Sequence, residues 1–209
     1  MITLCWAAKG GSGTTVVTAA MALASTEPTL LIDLDGDLPA VLGIPGPDGP
    51  GVHDWLRSEA EPDRLNSLEI PIDQQVALLT AGRIGPVGPD RWSILADWLQ
   101  HERRRVIIDA GSRQPTRELH DAAQQAWLVT RPCYLAVTAA VAQTRRPTGV
   151  VLIDEPGRAL RPADIEASLG VPIVATTLCD PAIARAADAG LLVSHLPGGF
   201  RRRLREAAP

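Results

Sequence analysis

The stretch from Lys9 to Thr15, reading Lys-Gly-Gly-Ser-Gly-Thr-Thr, constrains this chain more than any other. An apolar run, residues 1–8, leads into it, and a pattern rich in Val, Ala, Leu and Met follows from Val16 to Ala24. That order reads as strand, glycine loop, helix. A loop of this kind at a helix N-terminus turns several backbone N–H groups toward one point, where the helix dipole also favours an anion. Glycine lets the backbone approach a phosphate and take positive φ. The ordinary phosphate loop is G-x-x-x-x-G-K-[ST]. In that frame, Ala8 to Thr15, the first glycine is Ala8 and the lysine is Thr14.

Two further strands end in acids. Residues 29–33 form an apolar run that closes on Asp33, with Asp35 and Asp37 at the next alternate positions. Arg103-Arg104-Arg105 leads into Val106-Ile107-Ile108-Asp109, followed by Ala110-Gly111-Ser112. The second has the outline of a Walker B strand, whose acid holds a magnesium-bound water against the phosphates. Open α/β sheets place ligands at the carboxyl ends of such strands. The plainer alternative for Asp33 and Asp35 is an acidic turn after a strand. Asp37 is expected to cap the next helix.

Together these segments closely resemble the ParA/MinD family, whose deviant phosphate loop runs K-G-G-x-G-K-[ST]. In that family the first lysine of the loop crosses a nucleotide-sandwich dimer to the partner's phosphates, and Lys9 matches it. Thr15 matches the magnesium-binding hydroxyl. Asp33 matches an acid near the magnesium and its waters, and Asp35 the acid that positions the attacking water. The resemblance implies ATP or ADP held by Lys9, Gly10, Gly11, Ser12, Gly13, Thr14 and Thr15. It implies magnesium near Thr15, Asp33 and Asp109, with Lys9 and Asp35 acting in hydrolysis. Thr14 departs from the pattern where the phosphate-contacting lysine belongs, and Ala110-Gly111-Ser112 departs from the usual D-[TSCA]-[PA]-[PA]-G.

Arginine makes up nineteen of the twenty basic residues, and Lys9 is the one lysine. A bias toward arginine that spares a single position suits a compact ammonium used as a point charge on phosphate. The bland alternative is a solvent-exposed lysine at a strand end. The same bias would have put arginine, not threonine, at position 14.

With 209 residues, 45% hydrophobic and 21% charged, one globular domain spanning 1–209 is expected. A net charge of −4 argues against a globally basic nucleic-acid binder. Cys5, Cys133 and Cys179 are odd in number and widely spaced, which fits a reducing compartment. With no signal-peptide pattern and no run of about 20 apolar residues, a cytoplasmic location is expected.

The remaining chain alternates strand and helix patterns, which predicts an α/β fold: a mainly parallel twisted sheet with helices on both faces, as in P-loop NTPases. Residues 43–51 read as a Gly/Pro surface loop. Asp90 is a candidate N-cap for a helix carrying Trp92 and Trp98, both read as packing residues. His53 and His101 read as surface residues, and the triple arginine as a solvated helix end. Asp180-Pro181 reads as an N-cap followed by Pro at the first helical position. The family places adenine near the strand ends around Asp154 and Cys179-Asp180-Pro181. The tail around Phe200 and Leu204 has four arginines and one apolar i,i+4 pair, too little for a single membrane anchor.

The expected function is a nucleotide-binding dimeric switch for intracellular positioning, as in partition, division-site or pilus and secretion placement. Hydrolysis of ATP to ADP and phosphate is expected to be slow or absent. The expected partners are a second copy and an unidentified protein, with DNA or a membrane surface as weaker alternatives. The competing reading is a non-catalytic scaffold acting through protein contacts.

Overall fold

The computed structural model describes residues 1–45, 49–196 and 198–199. The tail discussed above, residues 200–206, lies outside them, as does the middle of the Gly/Pro loop. Eight strands form one sheet: β1 (Ile2–Trp6), β2 (Thr29–Asp33), β3 (Glu69–Pro71), β4 (Val76–Leu79), β5 (Arg105–Asp109), β6 (Gln125–Thr130), β7 (Gly149–Asp154) and β8 (Ile173–Leu178). Their spatial order is β3-β4-β2-β5-β1-β6-β7-β8. All neighbours are parallel except β3 with β4. β3 forms one edge and ends in Pro71, which cannot donate to a further strand.

Seven α-helices lie between the strands among the described residues, α1 (Thr14–Ala24), α2 (Leu38–Leu42), α3 (Val52–Leu56), α4 (Pro89–Gln100), α5 (Arg117–Ala122), α6 (Tyr134–Val141) and α7 (Pro162–Leu169), and two follow the last strand, α8 (Pro181–Asp188) and α9 (Leu192–His195). The expected α/β architecture is therefore the one observed. The central strands are buried end to end, as parallel strands covered on both faces must be. Alternate residues feed two cores. Leu4, Ile32 and Ile108 pack toward α4 and α5, while Cys5, Leu31 and Ile107 pack toward α1 and α8. No helix among the described residues is long and apolar enough to cross a membrane.

Four local expectations need correction. The α4 N-cap is Gly88, and Asp90 lies inside the first turn behind Pro89. His53 is buried, not surface; its Nε2 lies 3.1 Å from the Leu34 carbonyl oxygen, and its ring meets Trp92 edge-on. A histidine can enter a core when its ring nitrogen finds such a partner. Asp37 occupies the N-cap position of α2 but makes no capping bond; the Asp33 carboxylate accepts the Leu38 N–H instead. Arg104 is not a solvated helix end. Its guanidinium bonds both oxygens of Glu69 and one of Glu102, each at 2.7 Å, tying β3 to the start of β5. Asp180 does cap α8, accepting from the Ala182 N–H at 2.8 Å, with Pro181 at the first position.

Candidate functional site

Parallel register gathers the singled-out residues at one end of the sheet. Cys5 of β1 is level with Asp109 of β5, and Asp33 of β2 is level with the same Asp109. The two acids thus stand side by side at the carboxyl ends of adjacent strands, on the face that α1 covers. Backbone bonds lace these ends together: Ala7 N–H to the Gly111 carbonyl, Ala110 N–H to Cys5, and Leu34 N–H to Asp109, at 2.8 to 2.9 Å.

The loop from Ala7 to Gly13 rises from β1 and turns into α1. Gly11 and Gly13 have φ of +78° and +90°, which side chains rarely tolerate. The Ser12 hydroxyl donates to the Lys9 carbonyl at 2.8 Å and closes the turn. A Cβ on Gly10 or Gly11 would meet nothing within 4 Å, so packing within the chain does not demand glycine at position 10. A bare backbone facing open space is what close approach to a ligand requires. The first N–H groups of α1, from Thr14 to Val16, have no partner within the helix, and Val17 is the first to bond back, to the Gly13 carbonyl.

Lys9 to Thr15 line a cleft of about 620 Å³ together with Asp35, Asp37, Gly111, Ser112, Arg131 and residues of α8. Lys9, Gly10 and Gly11 are exposed in it, Ser12 and Thr14 are buried, and Thr15 is half-buried. Asp35 is half-buried and pairs with Arg113 at 3.4 Å. Of the residues singled out from sequence, the loop and Asp35 thus share one cleft, whereas Asp109 is buried outside its lining and Asp33 lines a separate hollow with Gly36, Asp54 and Gly82.

Asp109 is fully buried. Its Oδ1 accepts the Gly111 N–H at 2.9 Å, while its Oδ2 makes no hydrogen bond among the described residues. Burial pushes its carboxyl up to about 7, with the Asp33 charge adding to the shift; the Gly111 N–H and the neighbouring Thr15 hydroxyl oppose it. Asp33 is also fully buried, but its oxygens are engaged: Oδ1 accepts from Asp35 and Gly36, and Oδ2 from Leu38. Burial raises Asp33 to about 6 against those three bonds. Asp33 therefore shapes the turn that presents Asp35, whereas Asp109 retains an uncommitted oxygen.

That orphaned oxygen beside a threonine hydroxyl fits a hydrated divalent cation. Among the described residues no group of three or more His, Cys, Asp or Glu side chains could cage a metal. A metal here would complete its shell with waters and phosphate oxygens, as magnesium commonly does.

Arg131 and Arg113 were not singled out from sequence. Arg131 directly follows β6, where the carboxyl-end rule for α/β sheets could have found it. Arg113 had no comparable signal, since its pairing with Asp35 exists only in three dimensions. Near the loop's mouth, the Cys133 thiol is held below its usual range by the N–H groups of Ala136 and Leu135 at the start of α6, and by the charges of Lys9 and Arg158. The next residues, Tyr134 and Leu135, are exposed to 70% and 63%, unusual for large apolar side chains.

No protein-family model matches the chain, and no curated protein matches it. Solved structures do. MinD from Aquifex aeolicus superposes with a TM-score of 0.80 at 17% identity, covering 99% of this chain and 94% of that one. MinD of Pyrococcus horikoshii OT3, solved with Mg-ADP, gives 0.75 at 21% identity, covering 99% and 93%. A ParA-family ATPase from Chlorobium tepidum TLS gives 0.74 at 17% identity, covering 97% and 96%. The chain has the fold of MinD and ParA-family P-loop proteins.

Proposed function

We propose that this chain, built on the MinD and ParA fold, is a nucleotide-responsive switch of that kind: a cytoplasmic protein that binds ATP or ADP with magnesium and pairs with a second copy in a nucleotide-dependent way. The observation that carries this is the combination at the cleft. Positive-φ glycines, a helix start and an exposed Lys9 line it, and Thr15 in the same lining neighbours the buried Asp109, whose Oδ2 lacks a partner among the described residues. Thr15 and Asp109 would hold the magnesium side, with Asp33 behind them fixing the turn that carries Asp35. Magnesium would supply charge neutralisation at the phosphates. Gly10 to Thr15 would bind phosphate through backbone N–H groups, and Lys9 would reach the phosphates of the partner copy. The exposed Tyr134 and Leu135 support pairing, since they follow Cys133, whose thiol senses the charge of Lys9.

Hydrolysis on this reading is slow or absent. Thr14 supplies no cation, and phosphoryl transfer depends on such charges. Asp35, the water-orienting candidate, is engaged by Arg113. The same two features favour the second reading, a scaffold of this fold that recognises an unidentified protein partner without turning over nucleotide. On the switch reading the biological output is intracellular positioning, the role that the resemblance to the family implies.

Titration with Mg-ATP and Mg-ADP while following mass in solution separates the two readings. The switch requires ATP-dependent dimerisation that Lys9→Ala abolishes. An oligomeric state indifferent to nucleotide sinks it and leaves the scaffold.

A further inference from the structure

The loop lacks the cation that Thr14 replaces, so a phosphate chain in this cleft would meet one loop lysine instead of two. We infer that Arg131, which comes from outside the loop, is the second phosphate-binding cation of this site. The inference rests on the nucleotide reading above and deepens it.

Strand order places Arg131 well. β6 is the parallel neighbour of β1, with Trp6 level with Leu128, so the first residue beyond β6 emerges beside the rising loop. Arg131 lines the loop cleft together with Lys9 to Val16. It also lines a smaller, mainly apolar hollow with Gly13, Val16 and Ile153. Its side chain thus spans the junction between the loop and the ends of the strands beyond it, next to the start of α1.

The chemistry of the guanidinium fits the role. Nη1 donates to Glu155 at 2.7 Å, while Nε is buried and makes no hydrogen bond among the described residues. Glu155 is shared, since Arg158 also binds it through Nε at 2.6 Å. One carboxylate shared by two arginines does not neutralise both of them, so Arg131 keeps cationic character where it lines the cleft. The opposite wall carries Asp35 and Asp37. Of the cations lining the cleft, Lys9 belongs to the loop and Arg131 to the β6 side, while the acids of the β2 side include Asp35, itself paired with Arg113. A guanidinium held on one nitrogen by a carboxylate is pre-oriented, and its remaining donors suit phosphate oxygens. An arginine here also fits a chain that uses arginine for all its other cations.

A structural brace between β6 and β7 is the competing role for the Arg131–Glu155 pair, and phosphate dependence together with rescue separates the two. Binding of Mg-ATP, Mg-ADP and adenosine to the full chain is measured by calorimetry, with melting temperature recorded for each variant. Arg131→Gln is expected to weaken Mg-ATP binding by at least about tenfold, the cost of one charge-assisted contact. Adenosine binding is expected to hold within about twofold, a change too small to reflect a lost charged contact. Thr14→Lys added to Arg131→Gln is expected to restore Mg-ATP affinity, because it returns the cation from the other side. Should Arg131→Gln fold poorly, Arg131→Lys, which keeps the charge, is expected to retain most of the affinity. Wild-type affinity in Arg131→Gln, equal losses for ATP and adenosine, or no rescue by Thr14→Lys overturns the assignment of Arg131 alone. A wild-type chain that binds no nucleotide overturns the nucleotide reading and this inference with it.

Discussion

Gly111 lies directly beneath the carboxylate of Asp35, at φ +58°, so close that a Cβ on it would collide with the Asp35 side chain. The second residue after the β5 acid is thus fitted to a residue of the turn after β2. The loop sequence Ala110-Gly111-Ser112 departs from the family pattern, yet its glycine has a definite steric duty. Gly111→Ala is expected to cost about 1–3 kcal/mol through the left-handed backbone conformation alone. It should also displace Asp35 from Arg113. Urea unfolding checks the first effect, and a drop in any residual ATP turnover beyond the change in folded fraction checks the second.

The neighbouring buried acids make the nucleotide-free protein sensitive to pH. Asp109, raised to about 7, keeps its proton in the folded chain over a range where the unfolded chain, near 3.8, has lost it. The folded state then binds more protons, so this contribution to stability is full below about pH 4 and declines as pH rises toward 7, at up to about 1.4 kcal/mol per pH unit. Asp33, raised to about 6, acts in the same direction. His53 opposes them: burial lowers its pKa, so its contribution is lost as pH falls below about 6.5. Comparison of variants isolates Asp109. Without nucleotide, Asp109→Asn is expected to melt above wild type at pH 8 by a few degrees, with the gap closing toward pH 4. A gap independent of pH would argue against a protonated Asp109.

Thr14 occupies the first position of α1 and is buried, and its neutral hydroxyl carries no charge to set against a phosphate. Thr14→Lys is expected to raise ATP turnover by at least about tenfold from a slow wild-type rate, on the scale of one electrostatic contact in phosphoryl transfer. Single-turnover measurements with Mg-ATP test this. An unchanged rate on top of brisk wild-type turnover would remove the account of slow hydrolysis.

The fork of Arg104 onto Glu69 and Glu102 ties the antiparallel edge strand β3, past β4 and β2, to the segment that leads into β5. Arg104 is about a quarter exposed, so the pair is partly shielded from solvent. Arg104→Ala is expected to lower stability by about 1–3 kcal/mol, while Arg104→Lys, which lacks the planar fork, recovers only part of it. Chemical denaturation of both variants decides the matter.

Much of the site was legible in the sequence because chain order and parallel register do the assembling. Asp33 and Asp109 each end a strand, and parallel pairing then has no choice but to bring them level beside the loop. The glycine turn after β1 was equally visible, since Gly11 and Gly13 carry the positive φ that side chains rarely adopt. What was hidden depends on side-chain reach across the fold. That Asp33 spends its oxygens on the backbone of residues 35–38 follows from the turn it caps, not from its place in the strand. His53 was misjudged because its partner is a backbone carbonyl 19 residues away, and no spacing rule connects a histidine to a carbonyl. Arg113 and Arg131 looked like two of many arginines until the fold set one against Asp35 and the other along the loop.

The edge strand β3 has a last consequence. A bare outer strand is a template on which identical chains could stack into open-ended fibres. Here that strand is only three residues long, runs against its neighbour and finishes in Pro71. Polymerisation by sheet extension is discouraged along that border. The pairing proposed above, across the loop-bearing end of the sheet, would instead give a closed pair whose size is limited by geometry, and whose making and breaking would be governed by what lies between the two.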